Sequence, residues 1–176
     1  MNYFKQLLLL FSIVALMPLK SYAQNIITDK RVFTPVEGRQ MANAYGFITT
    51  IQGNIKLTIK NCSKWLPGKQ KEFKNSYAKW LDRNKTLIKQ NASMYSDLVK
   101  LVSLSSGKRK KDIELFYREM TTTAIKQYKT ILFRKDRTQR KNFCHNFAVR
   151  LKAKIMDIAS NETVNKFVTN YIPLKR

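Results

Sequence analysis

Histidine, cysteine and acidic residues are scarce in this 176-residue chain, and each scarcity excludes a class of site. His145 is the single histidine, and Cys62 and Cys144 are the two cysteines. They lack further ligands at the spacing of a zinc site, so we predict no metal and no cofactor. His145 has no serine motif or paired carboxylate, and Glu114 and Glu119 are five residues apart, on different faces of a predicted helix. We therefore expect a protein without catalytic residues, whose histidine lies at the surface or at the edge of the core.

Long apolar runs are confined to the first residues of the chain. Lys5 precedes an apolar run over residues 7–17, and small residues follow at Ser21 and Ala23. This order is typical of a secretory signal peptide, so we predict a signal over 1–23 and a mature chain over 24–176. No later run reaches about 18 apolar residues, the length that favours a transmembrane helix. The expected location is the periplasm or the extracellular medium, with no transmembrane segment after signal cleavage.

The predicted compartment decides the chemistry of the two cysteines. In an oxidising compartment, an even cysteine count without metal-ligand neighbours indicates a disulfide, here between Cys62 and Cys144. A bond that closes so long a loop would stabilise the fold by about 4–5 kcal/mol on the chain-entropy model.

Acidic residues are too few to balance the basic ones. The chain has 34 lysines and arginines and 11 aspartates and glutamates. Without the two lysines of segment 1–23, the remaining 32 basic residues give the mature chain a formal net charge of +21. A charge of this size attracts polyanions such as nucleic acid, anionic lipid head groups, lipopolysaccharide or an acidic protein. The rival interpretation is a biased composition with a solvated basic surface.

The pattern of apolar residues predicts one helical domain. A mature chain of 153 residues fits a single domain with a real core, and alternating strand patterns and internal repeats are absent. We interpret 24–33 as an extended or loose N-terminal arm. Apolar positions then recur at three and four residues, with breaks near 66–68, 105–107 and 134–141. The predicted fold is an all-α, single-domain bundle of four to six helices with one disulfide.

Three details of the predicted helices can be checked against the structure. Thr34 and Pro35 have the residue types of a helix start. Gly46 and Gly53 lie within the first apolar stripe and indicate close approach to another helix. The second helix would be about 54 Å long if unbroken, so we predict a kink or break within a few residues of Ser93.

The segment from 126 to 154 holds ten basic residues and one acid, Asp136. As a helix, turn and helix, it would gather cations at one end of the bundle, as phosphate binding requires. The chain carries no named nucleic-acid motif, and Tyr128 and Phe133 are interpreted as core residues, so we expect no specific nucleic-acid recognition. The predicted anion-binding patch comprises Arg134, Lys135, Arg137, Arg140 and Lys141, together with Lys108, Arg109, Lys110 and Lys111 if the topology brings that turn close.

A spaced set of residues gives the chain a resemblance to known proteins. The set comprises Cys62, Pro67, Tyr77, Trp80, Arg83, Asn84, Leu87, Cys144 and Phe147. It resembles a group of small uncharacterised exported helical proteins of Gram-negative bacteria, over about half the mature chain. The resemblance implies a disulfide-linked bundle and a periplasmic address, and it implies no activity. From the residues themselves, we interpret Trp80 as a buried aromatic and Asn84 as an internal hydrogen-bonding group.

Three functions follow from these patterns. The first is a non-enzymatic periplasmic or secreted basic protein that binds an acidic polymer or acidic protein of the cell envelope. The second is an immunity or inhibitor protein against a secreted toxin or hydrolase. The third is a small all-α periplasmic enzyme, for which secreted chorismate mutases provide an example of the class. Four glycosylation sequons, at Asn61, Asn84, Asn91 and Asn161, would matter in a eukaryotic source.

Overall fold

A computed structural model describes residues 26–28, 31–33 and 34–174 of the chain. Within these residues it contains five α-helices, so the predicted all-α bundle of four to six helices is confirmed. The helices are α1 (Pro35–Trp65), α2 (Gln70–Ser106), α3 (Lys110–Phe133), α4 (Arg137–Lys152) and α5 (Glu162–Thr169). Short 3₁₀ turns at Pro67–Lys69 and Ile158–Ser160 precede α2 and α5.

Two short strands lie within the segment predicted to be an extended or loose arm. Strand β1 (Ile26–Thr28) pairs antiparallel with β2 (Arg31–Phe33), and Ile26 lies opposite Phe33. Phe33 is 2% exposed and belongs to the core, so the end of this hairpin is anchored by apolar burial. The predicted signal peptide, 1–23, lies outside the described residues.

Helix α1 begins as its sequence indicates. Thr34 is the N-cap and its hydroxyl accepts a hydrogen bond from the Glu37 amide at 3.1 Å, while Pro35 occupies the first turn. The helix ends at the predicted break, where the amide of Leu66 donates to the Cys62 carbonyl and Pro67 follows. Gly53 gives the predicted close approach, because a Cβ at this position would overlap the Ile125 side chain of α3.

Helix α2 is continuous over 37 residues, so of the predicted kink or break near Ser93 the break is wrong. The prediction assumed that no other helix was long enough to cover α2, whereas α1 has 31 residues and packs along it. Asn91 and Met94 are 6% and 0% exposed, so the suspected break point lies within the packed interface. Helix α2 ends at Gly107, whose φ of +65° is the left-handed conformation that glycine adopts without strain.

Helices α1 and α3 run in the same direction because the long α2 returns the chain between them. Tyr45 packs against Tyr117 with the two ring centroids 5.8 Å apart, and Trp65 packs against Phe133 at 5.7 Å. Between these contacts, the hydroxyls of Thr58 and Tyr128 share a hydrogen bond of 2.8 Å. The three contacts pair α1 and α3 from the first half of α1 to its end.

One tyrosine at this interface has a strongly altered acidity. Tyr95 of α2 stacks on Tyr45 with the centroids 4.0 Å apart, and Tyr117 meets its edge. Burial raises the pKa of Tyr95 to about 12, because the phenolate would lose solvation. The nearby Tyr45 raises this pKa further and is the second cause. Burial also raises the pKa of Tyr45, so the stacked pair of Tyr45 and Tyr95 stays neutral.

Helix α4 crosses back over α1 and α2 and is fixed by the disulfide. Cys62 and Cys144 are bonded, both are fully buried, and their Cα atoms are 5.5 Å apart. The predicted disulfide is thereby confirmed. In the sequence, the apolar spacing of Phe147 and Leu151 continues at Ile155 and Ile158, but the helix ends at Lys152 and Ile155 is 49% exposed. The chain turns at Lys154, a non-glycine residue with φ of +64°.

A single apolar core joins these elements. Trp80 and Phe73 of α2 are fully buried and belong to the same core cluster as the aliphatic side chains of α1. The tail after α5 adds Tyr171, whose hydroxyl donates to the Asp97 carboxylate of α2 at 2.7 Å. The largest fully buried side chains are Trp80, Phe33, Phe73, Met41, Ile48, Ile55, Met94, Leu98, Leu101, Leu132, Leu151 and Ile158.

Candidate functional site

The predicted anion-binding patch is divided between the two ends of α3. Residues 108–111 lie at its start, and residues 134–141 form the turn and the first residues of α4 at its end. A helix of 24 residues separates the two groups by about 36 Å. The structure therefore gives two separate basic clusters: the α3-start cluster, 108–111, and the α3-end cluster, 134–141.

Two of the four cations in the α3-start cluster are paired with nearby acids. The Arg109 guanidinium donates to both oxygens of Asp112, at 2.9 and 3.1 Å. The Nζ atom of Lys110 lies 3.7 Å from the Oε1 atom of Glu114, one turn further along the helix. These pairs are exposed and belong to the first turns of the same helix, so they reduce the local positive charge without packing against the core.

The α3-end cluster has a different organisation because its acid has another role. The Asp136 carboxylate caps α4 by accepting from the Gln139 amide at 2.8 Å, and the Gln139 side chain accepts from the Asp136 amide at 3.4 Å. Arg134, Arg137 and Lys141 are exposed, and no ion pair to them occurs within 34–174. Three neighbouring cations therefore face solvent at this end of the bundle.

Arg140 has a structural role within the same cluster. Its guanidinium carbon lies 5.1 Å from the centre of the Trp65 ring and 5.8 Å from that of Phe133, and it donates to the Phe133 carbonyl at 2.9 Å. This contact joins the ends of α1 and α3 to the start of α4. The prediction that Phe133 is a core residue is wrong, because it lies beyond the core at the helix end and is 41% exposed.

A cavity of about 410 Å³ lies beside the α3-end cluster, between α1, α3, α4 and the turn after α4. Pockets of about 300–1,000 Å³ with apolar walls and a few polar groups are typical of small-molecule sites. The apolar lining residues are Phe47, Ile51, Tyr128, Ile131, Leu132, Phe143, Phe147, Ile155 and Met156, and the polar ones are Asn54, Lys135, Gln139, Asn142, Asn146, Arg150, Asp157, Ser160 and Asn161.

Two polar side chains distinguish this cavity from a packing defect. Asn54 is 5% exposed, and its amide oxygen has no hydrogen-bond partner among the described residues. Leaving a buried polar group unpaired costs about 1–3 kcal/mol, which a bound donor would remove. Arg150 is half-buried, and its positive charge acts on Tyr128 across the cavity. Burial nevertheless raises the pKa of the Tyr128 phenol, so this group stays neutral.

The far wall of the cavity is held by residues of α2. Trp80 Nε1 donates to the Met156 carbonyl at 2.9 Å, and Asn84 Oδ1 accepts from the Ile158 amide at 2.7 Å. Arg83 binds both oxygens of Asp157, at 2.8 and 2.9 Å, which raises the pKa of the arginine. The interpretation of Trp80 and Asn84 as buried structural groups is confirmed, and their role is to fix the segment that follows α4.

His145 is exposed on α4, as the sequence indicates. Within the described part of the chain, no group of three or more histidine, cysteine, aspartate or glutamate side chains is placed to hold a metal ion. Asn54 and Arg150 were not among the residues predicted to form a site. In the sequence, Asn54 lies between Ile51 and Ile55 of the apolar stripe. This position indicates that the side chain is buried, but it does not reveal the cavity beside it.

Comparisons with known proteins give no family from which a function could be inferred. Over the ranges that the structure describes, no helix combines the length and apolar character needed to cross a membrane. No protein-family model, curated protein or solved structure matches this chain.

Proposed function

We propose that this protein is an exported, non-enzymatic basic protein that binds an acidic partner of the cell envelope through its α3-end cluster. The partner is an anionic polymer or an acidic protein surface. The observation that carries the proposal is the group of three exposed cations, Arg134, Arg137 and Lys141, beside a single acid that caps a helix.

The formal net charge of +21 for 24–176 supports long-range attraction to such a partner. The charge alone does not identify a surface, because lysines also line the length of α2. The α3-end cluster differs from these lysines because its cations come from a turn and a helix start, where they project from one end of the bundle. Anionic polymers bind such clusters through phosphate or sulfate contacts that release counterions.

The test compares two triple variants that each remove three positive charges. One combines Arg134→Gln, Arg137→Gln and Lys141→Gln. The control combines Lys71→Gln, Lys74→Gln and Lys79→Gln, which are exposed on α2 near Glu72 and Asp82. Heparin serves as the polyanion probe, and affinity is measured by titration at several salt concentrations.

We expect the α3-end variant to bind heparin about tenfold more weakly than the wild type, and the control variant about twofold more weakly. The heparin affinity of the α3-end variant should also depend less steeply on salt concentration. Circular dichroism checks that both remain helical, as glutamine is a good helix former. Equal losses in the two variants would show diffuse attraction and overturn the localised site. Heparin affinity that does not fall with salt would overturn electrostatic binding altogether.

A further inference from the structure

We propose that the cavity between α1, α3 and α4 is a second binding site, which takes a small organic anion with an apolar body. The site is distinct from the surface that would bind a polyanion. The exposed cations of the α3-end cluster lie outside the cavity, whereas Lys135 and Arg150 are among its lining residues.

The apolar walls define the body of the ligand. Ile51 and Phe147 are buried at the cavity, and Ile131 and Phe143 are half-buried there. A volume of about 410 Å³ exceeds what a few ordered waters need, and a largely apolar lining gives water few hydrogen-bond partners. An alkyl chain or aromatic ring system of small-molecule size matches these walls.

The cations define the charge of the ligand. The lining includes Lys135 and Arg150, and its one acid, Asp157, accepts hydrogen bonds from two nitrogens of Arg83. No ion pair of Arg150 occurs among the residues that the structure describes. A carboxylate, sulfonate or phosphate on the ligand would supply the anionic partner, with the strength of charge-assisted hydrogen bonds.

The unpaired amide of Asn54 is an independent indication of a ligand. Its side chain lies at the cavity, is 5% exposed, and its oxygen accepts no hydrogen bond from any described residue. A donor on the ligand would complete this group. An apolar wall, the positive charge of Arg150 and an unsatisfied buried acceptor are the features of a ligand pocket.

The wall after α4 explains how the cavity stays open. Trp80, Arg83 and Asn84 hold the segment that contains Met156 and Asp157 at a fixed distance from α1 and α3. The disulfide fixes the other part of α4. The cavity is therefore bordered by elements tied from two sides.

The test uses two fluorescent probes with the same aromatic body on the full-length mature protein. One is 1-anilinonaphthalene-8-sulfonate, an anion, and the other is N-phenyl-1-naphthylamine, which lacks the sulfonate. We expect the anion to bind one site per chain, about tenfold more tightly than the neutral probe, as one charge-assisted contact is worth about a factor of ten. Equal affinities for the two probes, or no saturable binding, would overturn the proposal.

Paired variants locate the probe and separate this site from the proposed function. Arg150→Gln should weaken the anionic probe about tenfold and leave heparin binding within about twofold. Arg137→Gln removes the same charge from the α3-end cluster and should give the reverse pattern. Thermal unfolding of each variant must match the wild type, because loosely packed chains also bind this dye. Equal loss of probe affinity in the two variants would overturn the assignment.

A cavity-filling variant and a competition experiment complete the test. Ile131→Trp should abolish binding of the anionic probe by occupying the cavity, and retained binding would contradict the proposal. Dodecanoate and 1-naphthoate then compete with the probe. Displacement by the first indicates an alkyl body and by the second an aromatic one, and displacement by neither would overturn the ligand class.

Discussion

The two ends of α3 carry similar positive charge but are constructed differently. At the start, Arg109 and Lys110 form exposed ion pairs with acids of their own helix. At the end, Arg140 is stacked on Trp65 and hydrogen-bonded to a helix carbonyl. The comparison teaches that the number of cations in a segment does not give the charge that it offers to a partner, because neighbouring acids and aromatic rings determine which cations are engaged.

The two ends also differ in how they are held. Helix α3 begins after Gly107, and its N-cap residue, Arg109, makes no side-chain cap. Its last turn contacts Trp65 and Arg140, and it is followed by the capping box of α4, the helix that the disulfide ties to α1. The α3 end is thus fixed by three tertiary or local devices, whereas the start depends on backbone conformation and exposed ion pairs. Three variants test this difference, in order of decreasing effect.

The largest effect is expected at the disulfide. Cys62→Ser and Cys144→Ser should each lower the free energy of unfolding by about 4–5 kcal/mol, and the double variant by little more, since all remove the same link. Urea denaturation measures the loss, and the reduced wild type serves as a control. Hydrogen exchange should accelerate in α4 more than in the first turns of α3, and uniform acceleration would contradict a local role for the bond.

A smaller effect is expected at Arg140. Arg140→Gln should lower the free energy of unfolding by about 2 kcal/mol, because it removes a charge-assisted hydrogen bond and a cation–π contact. The matched control is Arg109→Gln, whose exposed partners lie within its own helix, so its unfolding midpoint should equal that of the wild type. Equal effects of the two variants in thermal and urea unfolding would refute the structural difference between the clusters.

The smallest effect is expected at the cap of α4. Asp136→Ala should cost about 1 kcal/mol of stability, because the Gln139 amide loses its acceptor. Asp136→Asn keeps an acceptor and removes the charge, and it should retain nearly all of the stability. If the asparagine variant is as unstable as the alanine variant in urea denaturation, the charge matters at this position and the cap does not.

Short sequence patterns predicted the ends of helices correctly where a few neighbouring residues determine the end. The start of α1 at Pro35 and the end of α2 at Gly107 follow from residue types that fit one backbone conformation. The predicted break near Ser93 failed because its premise concerned the length of partner helices, which is a tertiary property. The helical spacing of apolar residues also continues past the end of α4 to Ile158, but contacts with Trp80 and Asn84 hold that segment outside the helix.

The candidate sites divide in the same way. The three exposed cations at the end of α3 were all among the predicted residues, whereas Arg140 was predicted to bind anions and is used in packing. The cavity was not predicted, because its lining residues come from α1, α3, α4 and the following turn, far apart in the chain. Apolar periodicity identifies the buried face of each helix. It does not show where the buried faces of two helices separate and leave a cavity.

The sequence by itself determined the helical class, the single disulfide pair and the excess of positive charge, since each depends on composition or on short-range spacing. The tertiary structure alone decided that the basic clusters lie at opposite ends of α3 and that Arg140 is a packing residue. It also decided that Asn54 and Arg150 meet at one cavity. The physical reason is that helix formation depends on residues within a few turns, whereas the neighbours of a side chain depend on how whole helices pack.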